Sequence, residues 1–353
     1  MKKLLFMILL LFTVCTPVFA EEAPSLEGED LFNSTAEEIV SGEFTLNPVE
    51  LIQRGLKRLF YEITQNRDVL VSMIVIAAVS GVLNVMQSSL GDSGVSETAF
   101  FACFTLMTAA VVRVFSLTLG YGVEVIHTLS DFITKLSPLF ALLLVSSGSV
   151  VSASVFNPVL SAAVYVITVV VDNCIVPLVY LGAVLGIVNN ISDKVQITKF
   201  NTLIRSLAKW ILTAVLTIFT SITAIYGFSA PVLDGVKMKA VKFAVGSLVP
   251  VVGGLLSDTV ETVLSGTQLL KNAAGVAGMV TICSITLIPI LKIGVMILML
   301  RLAAAAIEPL TDKRMTDMIS DITSSVVTIF AMTVTVAMLF IICIGIIVGA
   351  TGV

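Results

Sequence analysis

Charged residues are scarce in this sequence. Only 12% of its 353 residues are charged, whereas 57% are hydrophobic, and the mean hydropathy is +1.06. Water-soluble domains carry about 25% charged and about 45–50% apolar residues. A soluble core could not hide this much apolar surface, so lipid must be the solvent for most of the chain.

Residues that bind metals or carry out catalysis are also scarce. His127 is the only histidine, and the five cysteines are far apart, with no C-x-x-C pair. No G-x-x-x-x-G-K loop is present, and no nucleophile has a base and an orienting group near it in the sequence. With a net charge of -4 and no basic block, a nucleic acid partner is excluded. We therefore expect no cofactor, no metal and no enzymatic activity.

What the sequence does contain is a series of apolar runs, most of them about 20 residues long, the length of a membrane-spanning helix. Backbone groups in lipid must bond within their own segment, which favours helices for continuous runs of this kind. We therefore predict an all-α, polytopic integral membrane bundle. The runs cover residues 69–90, 98–119, 137–156, 158–190, 210–231, 244–256, 276–307 and 325–350.

The N-terminus has the features of a secretory signal peptide over residues 1–20. Lys2 and Lys3 form a charged start, and residues 4–14 form an apolar stretch too short to span a bilayer comfortably. Ala20, a small residue, precedes Glu21, and we expect cleavage between the two. An uncleaved anchor is the alternative.

Residues 21–68 are expected to lie outside the cytoplasm after cleavage. Their start is acidic, and Asn47 followed by Pro48 is a good helix start. The helix that follows is amphipathic, which suits a membrane surface, a partner or the protein's own bundle. Residues 69–119 are then predicted to form two transmembrane helices.

An internal repeat of 112 residues underlies the rest of the chain. It predicts two membrane units, 120–231 and 232–353, each with proline-broken or re-entrant helices, as in some transporters. Each long run is followed by an amphipathic stretch, at 199–209 and 313–322. A few matched residues could also arise by chance. The prolines expected to break helices are Pro138 and Pro177, matched by Pro250 and Pro289.

The number of spans depends on two apolar segments. Counting 137–156 and 244–256 as spans gives eight and makes the two units inverted. Treating both as re-entrant gives six and makes the units parallel. We favour six spans, because 244–256 covers only about 20 Å as a helix against a hydrocarbon core of about 30 Å. The serines of 137–156 also suit a protein-lined position.

Polar residues inside apolar runs are the candidate functional residues, because a charge in mid-bilayer is costly and usually faces protein or water. Arg113, Asp172 and Lys292 predict a water-lined midplane site, with an Asp172–Lys292 pair. Structural pairing, or extension of the basic side chains to an interface, is the alternative. Glycines at four-residue spacing predict close helix packing at Gly182 and Gly186, and at Gly345 and Gly349.

Three stretches resemble a known family. Val249–Thr262, Leu270–Gly278 and Glu308–Arg314 are similar to the stage III sporulation protein AE family of endospore-forming Firmicutes. The signal peptide and the acidic exported segment fit the same family. The likeness runs over nearly the whole mature chain.

The resemblance implies a subunit of the channel or secretion-like complex that joins mother cell and forespore and supports late forespore development. Its expected partners are ring-forming membrane proteins and a separate ATPase. Its expected location is the mother-cell membrane around the forespore, crossed several times. The alternative, which rests on the repeat and the broken helices, is a self-sufficient secondary transporter for a small solute.

Overall fold

The computed structural model describes residues 67–90, 93–191, 197–248 and 253–349, together with 61–64 and a few positions between 32 and 41. The long elements in these ranges are all helices. The predicted signal peptide and most of the acidic segment lie outside the described residues, so cleavage before Glu21 stays a prediction.

The bundle is made of long helices joined by short connections. A single π-helical turn, Val171–Ile175, joins α3 to α4 without a break. The helices are α1 (Arg67–Leu90), α2 (Ser93–Ser146), α3 (Val150–Val170), α4 (Val176–Ile191), α5 (Thr198–Leu248), α6 (Gly253–Ile307) and α7 (Lys313–Gly349).

The outer surface of the bundle is apolar. Leu106, Leu142 and Ile225 are each more than half exposed, which suits lipid rather than water. The prediction of a polytopic α-helical membrane protein is confirmed, and α1 adds a shorter apolar segment, Leu70–Val82. Five stretches are long and apolar enough to cross a membrane: Phe100–Ser146, Val150–Ile191, Thr198–Val236, Leu264–Ile307 and Lys313–Gly349.

Successive long helices alternate in direction. The turn from α2 to α3 contains Gly148, whose φ of 79° is a left-handed conformation that favours glycine. At the other end of the bundle, α6 ends beside the starts of α5 and α7, since residues of all three line one cavity there. We call this the basic end, because it carries Lys199, Arg205, Lys209, Arg301, Lys313 and Arg314.

Neither of the two ambiguous segments forms a helix of its own. Residues 137–156 comprise the end of α2, the turn and the start of α3. Residues 244–256 include the last residues of α5 and the first of α6, with 249–252 outside the described part. Residues 137–146 are therefore part of a long helix and not a re-entrant element. The choice between six and eight crossings stays a prediction.

The helices follow the 112-residue offset. Residues 150–191 correspond to 262–303, which lie within α6, and both stretches run toward the basic end. Matching helices thus run in the same direction, as expected for parallel units. The proposed boundaries at 120 and 232 fall inside α2 and α5, so the two units share continuous helices. The repeat itself stays a prediction.

The prolines behave differently from expectation. α2 continues through Pro138 and α6 through Pro289, so neither interrupts its helix. A proline removes one helical hydrogen bond, and in a packed membrane bundle the neighbouring helices can hold the helix together around it. Before Pro177 the helix widens instead, since the Val176 N–H donates to the Val171 carbonyl. Pro250 lies outside the described residues.

α7 is the central helix of the bundle. Buried residues such as Met315, Ile322, Ile329 and Val336 recur along it at helical spacing. It packs against α2, α4, α5 and α6. Because lipid is as apolar as the side chains, association of these helices depends on close packing and on polar contacts between them.

Candidate functional site

The predicted midplane pair does not form. The Asp172 carboxylate lies 3.3 Å from Nε2 of His127. The Lys292 ammonium lies 4.9 Å from the centre of the Tyr121 ring. Asp172 and Lys292 therefore both meet α2, but at different residues, and each has its own partner there.

Arg113 is separate from this region. It is exposed on α2, 14 residues before His127, which is about 21 Å along the helix axis. Thus the three polar residues singled out in the sequence do not form one site.

A polar face on α2 is the feature that the sequence analysis missed. Glu124, Thr128 and Asp131 are exposed, as is Lys135, and their spacing of four, three and four residues puts them on one side of the helix. We call these four residues the α2 polar face. It covers about 17 Å of helix. Residues 120–136 lie between two apolar runs, and the spacing of their polar residues by three and four is the signal in the sequence.

A second polar site lies between α4, α5 and α7, close to the basic end. Arg205 of α5 and Asp321 of α7 form an ion pair of 3.0 Å, with side chains only 16% and 25% exposed. The Asn190 amide of α4 donates to the second carboxylate oxygen of Asp321, at 2.9 Å. We call these three residues the Arg205 cluster. It joins three helices through one carboxylate.

Two glycines make room for the Arg205 cluster. A Cβ on Gly186 would lie 2.9 Å from Cβ of Asp321, and one on Gly182 would lie 3.3 Å from Cγ of Arg205. At Gly345 the nearest atom would be 3.9 Å away, and at Gly349 nothing lies within 4 Å. Among the residues that the structure describes, no helix approaches the second glycine pair as closely as the first.

A buried carboxylate joins α5 to the α2–α3 turn. Asp234 is only 4% exposed. It accepts hydrogen bonds from the backbone N–H groups of Val151 and Ser152, at 2.8 and 2.9 Å, and from the Ser152 hydroxyl at 2.7 Å. These groups are free donors at the start of α3, so Asp234 caps that helix from a distant part of the chain.

We expect Asp234→Ala to lower the free energy of unfolding by about 2 kcal/mol, the upper range for loss of a helix cap. Three donors lose their acceptor, and two of them are backbone groups that cannot turn away. Denaturant titration of the purified protein in detergent measures the change. Asp317→Ala, at an exposed position on α7, is the control, and an equal loss in both variants would contradict the capping role.

The connection between α6 and α7 is fixed by Asp312 and Arg314. The Arg314 N–H donates to the Asp312 carboxylate at 3.0 Å, and the guanidinium lies 3.2 Å from the same carboxylate. The guanidinium also lies 4.1 Å from the centre of the Phe100 ring. Burial raises the pKa of Asp312, but hydrogen bonds from Arg314 and its charge outweigh this and hold the pKa below its ordinary value.

The backbone of Leu310 packs directly on Gly81 of α1.

Together, the fold and these sites define a class: an α-helical protein that crosses the membrane several times and holds ion pairs between its helices. The chain belongs to the Stage III sporulation protein AE family, whose family model matches residues 31–351. Stage III sporulation protein AE of Bacillus subtilis (strain 168) is 30% identical over 313 residues, which cover 89% of this chain and 78% of that protein. No solved structure matches the chain. The family predicted from the sequence is confirmed, and it is a family of sporulation proteins.

Proposed function

We propose that this protein is a membrane subunit of the channel or secretion-like complex that joins mother cell and forespore. Its role there is assembly and the lining of a conduit rather than catalysis. The absence of enzymatic activity stays a prediction.

The α2 polar face is the observation that supports this proposal. Glu124 and Asp131 are exposed charges in the middle of a helix whose two ends are apolar. Exposed charges at that position are costly in lipid, so this side of α2 needs water or protein against it. Further copies of the chain or other subunits, arranged around a water-filled path, would satisfy the requirement.

The orientation follows from charge. Lys and Arg concentrate on the cytoplasmic side of membrane proteins, so we propose that the basic end faces the mother-cell cytoplasm. The membrane is then the one around the forespore. In this arrangement an ATPase would meet the basic end and ring-forming proteins the opposite one.

A self-sufficient transporter is the less supported alternative. Inverted repeat units would have been the strongest support for a transporter. The matching helices of α3–α4 and α6 instead run in the same direction. A transporter also encloses its polar path within one chain, and the α2 polar face lies on the outside of this one.

Loss of the protein should leave vegetative growth normal and stop spore maturation after engulfment. Complementation of the deletion strain then tests the α2 polar face. The double variant Glu124→Leu/Asp131→Leu should reach the membrane in normal amount, yet yield as few heat-resistant spores as the deletion strain. Its partners should also be missing when it is purified.

The control changes polar residues elsewhere on the same helix. Thr105→Leu/Ser116→Leu alters two exposed positions outside the polar face and should restore spores fully. Normal spores from the Glu124→Leu/Asp131→Leu strain would reject a role for this face. A growth defect combined with normal spores would reject the sporulation role and favour the transporter.

A further inference from the structure

A cavity of about 370 Å³ opens between α5, α6 and α7 near the basic end. Two basic residues line it, Lys209 from α5 and Arg301 from α6. The serines Ser320 and Ser324 of α7 also line it. The cavity is separate from the Arg205 cluster.

The charge of the cavity is of one sign. Among the residues that the structure describes, its lining includes two cations and three hydroxyl groups but no carboxylate. The nearest acid of the Arg205 cluster, Asp321, is paired with Arg205 and Asn190. Two like charges brought together without a counter-charge attract an anion, and hydroxyl groups add hydrogen bonds to anion oxygens.

The surroundings of the cavity indicate which anion. Trp210, the only tryptophan of the chain, follows Lys209 directly and is 76% exposed. Leu203 and Leu207 are also exposed beside it, at 57% and 43%. Exposed tryptophan is enriched at the headgroup level of a bilayer, and exposed leucines suit acyl chains. A basic cavity at this level matches a lipid headgroup.

We propose that this cavity binds a phosphate group, carried by an anionic phospholipid of the leaflet at the basic end. Lys209 and Arg301 hold the phosphate, and the Ser320 hydroxyl donates to one of its oxygens, whereas the Ser324 hydroxyl donates to the Ser320 carbonyl. The acyl chains lie along the exposed leucines of α5. The site is independent of the conduit role proposed for α2.

Trp210 makes the proposal directly testable, since it is a single built-in fluorophore next to Lys209. The full-length protein is reconstituted into vesicles of phosphatidylcholine that contain one-fifth brominated phosphatidylglycerol, or the same fraction of brominated phosphatidylcholine. Bromine quenches tryptophan on contact. At this equal fraction, the wild-type protein should be quenched much more strongly by brominated phosphatidylglycerol than by brominated phosphatidylcholine.

Neutral variants identify the residues responsible. Lys209→Gln and Arg301→Gln should each lower the preference for phosphatidylglycerol about fivefold, the effect expected of one basic residue near an anionic surface, and together they should abolish it. Lys209→Arg should keep it. The control, Lys199→Gln/Lys313→Gln, removes two exposed charges of the same end that do not line the cavity, and it should keep the preference too. Unfolding titrations should show all variants folded.

Three results would overturn the proposal. The first is equal quenching of the wild-type protein by the two brominated lipids. The second is an equal loss of preference in the control pair and the cavity pair, which would mean general surface attraction. The third is removal of the preference by millimolar inorganic phosphate, which would assign the cavity to a free anion instead of a lipid.

Discussion

Replacing Arg205 with alanine should lower the free energy of unfolding by about 3 kcal/mol, as is typical when one partner of a buried ion pair is removed. Asp321 would keep its charge in a space only 25% exposed, with the Asn190 amide as its remaining partner. Asp321→Ala should cost at least as much, because two nitrogens of Arg205, Nε and Nη2, are already buried with no hydrogen-bond partner among the described residues. Unfolding titration in detergent measures both values.

A double substitution tests the net contribution of the pair. Arg205→Met/Asp321→Leu replaces both charges with apolar groups and should recover most of the lost stability, since buried pairs often contribute little net free energy compared with well-packed apolar residues. Lys199→Ala, on the exposed first turn of α5, should change stability little. If the Arg205→Ala and Lys199→Ala variants unfold alike, the buried pair has no structural role.

Gly81→Ala should destabilise the protein by about 2–3 kcal/mol, the upper range for overpacking. A methyl group there would meet the backbone carbonyl of Leu310. A flexible side chain could rotate away, but this carbonyl belongs to the turn held by Asp312 and Arg314. The α6–α7 connection would have to separate from α1, and increased proteolysis at that connection provides a second measurement.

Gly120→Ala is the matched control, and its expected effect has the opposite sign. Gly120 lies within α2 with nothing within 4 Å of its added methyl group. Alanine favours a helix over glycine by about 0.5–1 kcal/mol, so this variant should be slightly more stable. Equal destabilisation by both changes would show that the contact with Leu310 is unimportant.

Hydropathy predicted the class and the approximate position of the long helices, because a lipid-facing helix needs a long apolar run whatever its neighbours are. It did not predict that α2 would continue through 120–136. Charged residues interrupt the apolar pattern there, although Glu124 and Asp131 fit one face of a helix. The expectation that Pro138 and Pro289 would break their helices was wrong for a related reason. The penalty for a helical proline depends on neighbouring helices that a sequence does not show.

The Arg205 cluster could not be predicted from local pattern. Arg205 and Asp321 each fall in an amphipathic stretch, at 199–209 and 313–322. A polar residue there fits a water-exposed face as well as it fits a contact with another helix. Their pairing spans 116 residues of sequence. The glycine spacing at 182 and 186 predicted close packing, but it did not indicate that the groups packed there would be charged.

The order of synthesis gives the Arg205–Asp321 pair a further meaning. Asp234 emerges after the α3 donors that it caps, so its partners are already made. Arg205 has to wait for Asp321, 116 residues later, a delay of roughly 6–23 s at about 5–20 residues per second. During that interval the growing chain carries an unneutralised cation between its helices. The addition of α7 ends this state, so a chain truncated before α7 lacks the carboxylate that pairs with Arg205.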